Sequence, residues 1–230
     1  MAQEEISFTD LIASSIHDMK NSINLQVGAL EQLARQCRDK GDTQALEGLG
    51  RVIYQANRMN LNMVGLLSLY KLGKSIYPLD MRDHAVAEVI EEAVLQNKPM
   101  MDFKGITISV DCAPDCYWYM DRELVKGALV NALNNAYQYT RDRIHILARV
   151  ANRQLELRVE DNGQGYPEKM LFNQELLPEQ GVNFASGSTG LGFYFSSQVA
   201  RLHKNGERHG SLTIENGGTL SGGCFVVKLP

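Results

Sequence analysis

The stretch IHDMKNSIN, residues 16–24, sets a histidine beside an acid and follows it with Lys20, Asn21 and Asn24. A histidine in such a helical stretch is a buried core residue, a metal ligand or a nucleophile that accepts a phosphoryl group, and each demands different neighbours. His17 follows Ile16 and falls off the apolar stripe, with Lys20 and Asn21 three and four residues further on along its own face. This spacing sends the ring toward solvent and argues against a core residue. No second ligand follows at i+4, which argues against a metal. A solvated surface histidine and a phosphoacceptor both fit what is left.

Four further stretches bear on that choice. In LVNALNNAYQYT, Asn131 and Asn135 stand four apart and share a helix face, where their carbonyl oxygens suit a hard cation such as Mg²⁺; a solvated helix face fits equally. In VEDNGQGYP, Asp161 can accept a hydrogen bond from an exocyclic amine, while Gly163 and Gly165 allow a tight turn or a close approach to a ligand. In SGSTGLGFYFSSQ, Gly187, Gly190 and Gly192 precede an apolar helix, whose exposed N–H groups form a natural phosphate cradle. The glycine cluster of NGGTLSGGCFVVKLP leads into the last strand. Each stretch is weak alone, but the four in this order are hard to obtain by accident.

These residues need elements to position them. Ile12, Ile16, Met19, Ile23, Val27, Leu30, Leu33 and Cys37 recur at steps of three and four, as do Leu46, Leu49, Ile53, Ala56, Met59, Met63, Leu66 and Tyr70 beyond the breaker KGDT. Two amphipathic helices, each roughly 45 Å long, are expected. A lone antiparallel hairpin of that length leaves much of its apolar stripe wet, so pairing into a dimeric four-helix bundle is expected. After KLGKSIYPLD the pattern changes. A helix over 83–98, strands in GITISVDC and CYWYMD, a helix over 121–138, a strand pair RIHILARV/QLELRVED, a helix near 191–204 and strands in SLTIEN and CFVVKLP indicate a layered domain. The fold class is α+β: a helical hairpin over 1–75, then an α/β two-layer sandwich over 76–230.

The bulk composition excludes several classes. A net charge of −4 without a basic stripe gives no reason to expect nucleic acid as a partner. No run of about 18 apolar residues spans a membrane, and MAQEEISFTD has no signal-peptide pattern, so a cytoplasmic protein is expected. Cys112 and Cys116 in DCAPDC lack a second Cys or His pair, so the four cysteines are expected to be plain thiols.

With these motifs in place, the chain resembles the catalytic core of bacterial sensor histidine kinases over nearly its whole length. HDMKN is similar to the phosphoacceptor motif, NALNNAYQYT to the N-box, and DNGQG, GSTGLG and GGTLSGGCF to the three glycine boxes of the gyrase/Hsp90/histidine-kinase/MutL ATP-binding domain. MDRELVKGALVN, with Asp121 opening its helix, fits as well. The resemblance implies ATP and Mg²⁺ as ligands. Asp161 would bond the adenine amine, with Tyr139 beside the base. Asn135, with Asn131 nearby, would hold Mg²⁺ on the phosphates, which Gly190 and Gly192 would cradle, with Leu191 and Thr219 completing the nucleotide-contacting set. Gly163 and Gly165 would hinge a lid over 166–186. His17 would take the γ-phosphoryl group, with Asp18 holding the ring's tautomer and receiving its proton, and would pass the group to an aspartate of a response regulator. Asn21 could orient water to hydrolyse that regulator's phospho-aspartate. A homodimer is implied, with input from a separate sensory protein or a further segment.

Three departures favour an alternative, a phosphotransfer or phosphatase protein of the same fold with little autokinase activity. Ser22 stands where this class usually has a proline, Gln138 replaces the usual cation after the second asparagine, and Lys169 is the single cation of 166–186 against Glu168, Glu175 and Glu179. Arg141 and Arg143 lie nearby in sequence. A superfamily ATPase or serine-directed kinase is a third class, against which the His17 hairpin argues.

Overall fold

The structure is a computed structural model that describes residues 8–74, 76–171 and 190–230, the side chains of residues 8–10 aside. It divides into two compact units, Met1–Pro78 and Leu79–Pro230.

In the first unit, α1 (Phe8–Asp39) and α2 (Thr43–Gly73) pack together as a hairpin. The breaker works as its residue types dictate. Gly41 takes a positive φ of 70°, and the Asp42 side chain caps α2 by accepting from the Ala45 N–H at 3.0 Å. Ile16, Val27, Ala34 and Ile53 are buried between the helices. Across the hairpin, Asn60 Nδ2 donates to Asn24 Oδ1 at 2.7 Å. Asn24, part of the polar stripe, therefore ties α1 to α2. The hairpin leaves Met19, Leu33, Met59 and Leu66 of the two apolar runs exposed.

Among its described residues the second unit is a five-stranded mixed sheet with four helices. Its strands are β2 (Thr107–Cys112), β4 (Arg143–Ala151), β5 (Gln154–Asp161), β9 (Gly222–Leu229) and β8 (Ser211–Gly217), paired in that spatial order. Only β2 and β4 run parallel. Helices α3 (Val86–Lys104), α4 (Arg122–Tyr139) and α6 (Leu191–Leu202) pack on the sheet, and α5 (Glu168–Leu171) is a single turn. A two-stranded ribbon joins β1 (Met81–Ala85) to β3 (Tyr117–Asp121). The α+β expectation agrees with this architecture, but local readings differ. Residues 83–85 form the end of β1 rather than the start of a helix, because their pairing with β3 is long-range. The helix then runs past Pro99 to Lys104, since Met100 and Met101 are buried and their packing outweighs the roughly 3 kcal/mol cost of an internal proline. Short strands β6 (Lys204–Asn205) and β7 (Arg208–His209) had no pattern to announce them.

Asp121 is where the ribbon, α4 and α6 meet. Its Oδ1 accepts from the Leu124 N–H, capping α4, its Oδ2 accepts from the Asp80 N–H, and its own N–H donates to His203 Nε2, all at 3.0 Å. Asp121 is buried, so removing its carboxylate leaves two backbone donors unpaired. Asp121→Ala is expected to lower unfolding free energy by about 2–3 kcal/mol, read as a lower urea midpoint.

His203 is fully buried, and its Nδ1–H donates to the Val199 carbonyl at 2.7 Å while Nε2 accepts from Asp121. Burial depresses its pKa below the ordinary 6.5. The unfolded chain therefore takes up the proton more readily. The resulting stability is fully present above pH 6.5 and is lost as pH falls from there toward the depressed value. Urea midpoints between pH 7.5 and 5.5 should fall, and the fall should shrink in His203→Gln.

Candidate nucleotide-binding site and phosphoacceptor face

The site in the second unit starts from α4. This helix is buried along most of its length, and its three close asparagines divide the work. Asn134 is buried, donating to Asn97 Oδ1 and to the Val130 carbonyl at 2.9 Å each, and so serves the α3–α4 packing. Asn131 and Asn135, both half-buried, share a different face. Gly192, in the first turn of α6, lies against Asn131, with the space for a Cβ only 3.5 Å from its Cγ. The asparagine-bearing helix α4 and the second glycine cluster thus meet. Gly190, at φ 62°, is the N-cap of α6, and Leu191 is its first residue. Gly187 and residues 172–186, including Glu175 and Glu179, lie outside the described residues.

At the end of β5, Asp161 is buried, and its Oδ1 accepts from the N–H groups of Gly163 at 2.7 Å and Gly223 at 3.3 Å. The surroundings leave no room for side chains. A Cβ on Gly163 would strike the Tyr139 carbonyl, and one on Gly222 would strike the Asp161 carbonyl. The Tyr139 side chain itself is exposed. Gly165, at φ 78°, precedes Tyr166, whose backbone is clamped by Asn216: the Tyr166 N–H donates to Asn216 Oδ1 at 2.6 Å and Asn216 Nδ2 donates to the Tyr166 carbonyl at 2.8 Å. The Tyr166 ring packs edge-on to Phe193, with centroids 6.0 Å apart, and Phe193 packs on Phe225. Burial, with the Asp161 charge beside it, raises the Tyr166 pKa well above the ordinary phenol value, so its hydroxyl stays protonated.

Asp161, Gly163 and Tyr139 therefore form one group, and Asn131 and Gly192 another. Thr219 joins neither: it is exposed, and its N–H donates to Glu160 at 2.7 Å. Glu160 is the strand neighbour of Asp161 and points to the opposite face. The residues of the last glycine cluster that do reach Asp161 are Gly222 and Gly223, and Tyr166 and Asn216 also belong to this corner. Their glycine-rich context was visible in the sequence, but their proximity comes from β5–β9 pairing, where Glu160 lies opposite Cys224.

On α1, His17 is 71% exposed. Asn21 Nδ2 lies 3.3 Å and Asp18 Oδ1 3.6 Å from His17 Nδ1, so both polar neighbours face one ring nitrogen and leave Nε2 to solvent. Ser22 Oγ donates to the Asp18 carbonyl at 3.0 Å, a back-bond of the kind that bends helices. Among the described residues, no three His, Cys, Asp or Glu side chains cluster to hold a metal, and no helix is long and apolar enough to cross a membrane. All four cysteines are free.

Residues 120–230 match the family described as histidine kinase-, DNA gyrase B-, and HSP90-like ATPase. The sensor-like histidine kinase SenX3 of Mycobacterium tuberculosis is 25% identical over 207 residues, covering 88% of this chain and 50% of SenX3. The histidine kinase AdeS of Acinetobacter baumannii has the same fold, with a TM-score of 0.59 at 18% identity over 88% of this chain and 94% of AdeS. Full-length ShkA, solved in complex with AMPPNP, gives a TM-score of 0.58 at 18% identity over 97% of this chain and 46% of ShkA. The chain spans half or less of the length of the curated relatives it matches. Residues 120–230 thus match an ATPase family of the histidine kinase, gyrase B and HSP90 kind, set behind a helical hairpin, and over most of its length the chain is similar to sensor histidine kinases.

Proposed function

We propose that the protein is a homodimeric protein-histidine kinase of a two-component system, with Leu79–Pro230 binding Mg·ATP and the hairpin of Met1–Pro78 serving for dimerisation and phosphotransfer. His17 takes the γ-phosphoryl group and passes it to an aspartate of a response regulator. The observation that carries the reading is the pairing of a solvent-facing imidazole, with a carboxylate and an amide on one ring nitrogen, and a buried carboxylate set among glycines in a histidine kinase-type ATPase domain.

Each group has a chemical task. Asp161 accepts the adenine amine, Tyr139 stacks beside the base, and Asn131 and Asn135 offer carbonyl oxygens to a hard cation. Bound Mg²⁺ supplies charge neutralisation on the phosphates. The N-terminal amides of α6, at Gly190, Leu191 and Gly192, face the phosphate oxygens. A proton on His17 Nδ1, held by Asp18, leaves the Nε2 lone pair as nucleophile, with the Asn21 amide turned to present its oxygen rather than Nδ2 to that N–H. Exposed Met19, Leu33, Met59 and Leu66 give the hairpin an apolar face for a second copy. Input reaches such a protein through a separate sensory partner or a further segment, and its place is the cytoplasm. Incubating the protein, ³²P-labelled from γ-³²P-ATP, with a receiver domain tests the transfer: label should move to an alkali-labile acyl phosphate on the receiver, and label that stays put contradicts it.

A second reading, a phosphatase with weak autokinase activity, is favoured by Gln138 and Ser22, and by Lys169 as the one cation in 166–186. Asn21 then orients the attacking water. Faster loss of phosphate from a phospho-receiver, abolished by Asn21→Ala and without autokinase label, selects this reading.

A further inference from the structure

Asn162 sits between two residues of the candidate site, Asp161 and Gly163, yet its side chain turns to the loop that joins α4 to β4. Its Oδ1 accepts from Thr140 Oγ1 at 2.8 Å and from three successive backbone N–H groups, Arg141 at 3.2 Å, Asp142 at 3.2 Å and Arg143 at 3.1 Å. Its Nδ2 donates to Asp142 Oδ1 at 2.7 Å, and its backbone N–H donates to the Arg143 carbonyl at 3.2 Å. Consecutive N–H groups converging on one oxygen form a concave nest that fixes the backbone around the acceptor. One side chain therefore holds residues 140–143 to the end of β5.

That loop is the continuation of α4, which carries Asn131, Asn135 and Tyr139. The Tyr139 carbonyl already touches Gly163 too closely for any Cβ. Lys104 Nζ braces the same helix end, donating to the Tyr137 carbonyl at 2.6 Å. We infer that Asn162 is a positioning residue for the nucleotide base: it sets the spacing between Tyr139 and Asp161 without touching the ligand. The inference rests on the ATP-binding reading above. Asparagine suits the task because it offers both an acceptor for the nest and a donor for Asp142. Aspartate would keep the acceptor but set a second oxygen against Asp142 Oδ1, while serine is too short to span the nest.

The test uses the full chain. Asn162→Ala and Asn162→Asp should each raise Kd and KM for ATP about tenfold, the equivalent of one or two lost hydrogen bonds. The autophosphorylation rate at saturating ATP should stay within about twofold, because phosphate and metal contacts are untouched. The exchange Asn162→Asp with Asp142→Asn restores a donor to the pair and should return Kd to within about threefold of wild type. ATP affinity unchanged in Asn162→Ala, a fall in rate with KM unchanged, or an exchange that fails to restore binding would each overturn the inference. Should Asn162→Ala not fold, the single Asp variant and the exchange still decide it. Asp161→Asn serves as reference. If it too binds ATP like wild type, the ATP reading fails; if it loses binding while the Asn162 variants keep it, only the positioning role fails.

Discussion

Replacing His17 with alanine is expected to reduce acid-labile label from γ-³²P-ATP by a factor on the order of 100 or more, while ATP affinity stays within about twofold. His17 lies on α1, outside the unit that carries Asp161, and its side chain is largely exposed, so its removal leaves no cavity and exposes no buried partner. The loss is therefore chemical. The companion variants refine it. Asp18→Asn keeps the shape but exchanges the carboxylate that holds a proton on Nδ1 for an amide, and should slow labelling about 10- to 100-fold. Asn21→Ala removes the amide 3.3 Å from the same nitrogen, and its effect should appear mainly in dephosphorylation of the receiver. A scintillation assay on the four proteins at matched concentration reads all of these. Label surviving undiminished in His17→Ala refutes the phosphoacceptor role.

Asp161→Asn is expected to raise the ATP dissociation constant about 100-fold. The Asp161 Oδ1 accepts from the Gly163 and Gly223 N–H groups, an arrangement that fixes the carboxylate in a glycine-lined corner. An amide there presents either N–H groups to these donors or a donor to the donating adenine amine; in both orientations a buried hydrogen bond is lost. The same logic predicts base selectivity. GTP, which offers an oxygen where ATP offers the amine, should bind poorly to wild type, and Asp161→Asn should narrow the gap. Asn135→Ala should act differently, removing the Mg²⁺-dependent part of ATP affinity and leaving the affinity measured in EDTA unchanged. Isothermal titration with and without Mg²⁺ separates the two effects. Equal affinities for all three proteins would remove the nucleotide site.

Much of the fold was legible because local patterns and tertiary packing agree. Apolar residues at steps of three and four marked α1 and α2, and alternation marked β4 and β5 around Asn152 and Arg153, both at positive φ in the turn. Legibility failed where long-range partners decide. MRDHA has no strong strand signature and becomes β1 only by pairing with β3, and α3 overrides its internal proline through the burial of Met100 and Met101. At the site, residues adjacent in sequence were easiest to group, such as Asp161 with Gly163. That Gly222 and Gly223 press on the same carboxylate depends on strand register, and that Asn162 serves the α4–β4 loop depends on side-chain direction. Neither follows from spacing. Asn24 is a related case: it follows His17 in the same polar stretch, and its bond to Asn60 ties the hairpin together.

The central claim is that the γ-phosphoryl group of ATP comes to rest on the imidazole of His17. The wild-type protein labelled with γ-³²P-ATP and Mg²⁺, digested under alkaline conditions and mapped by mass spectrometry, tests it directly. The account predicts one phosphopeptide, spanning residue 17, whose phosphate is stable in alkali and lost in acid. Label on a serine, or on His84, His145, His203 or His209 in place of His17, contradicts it.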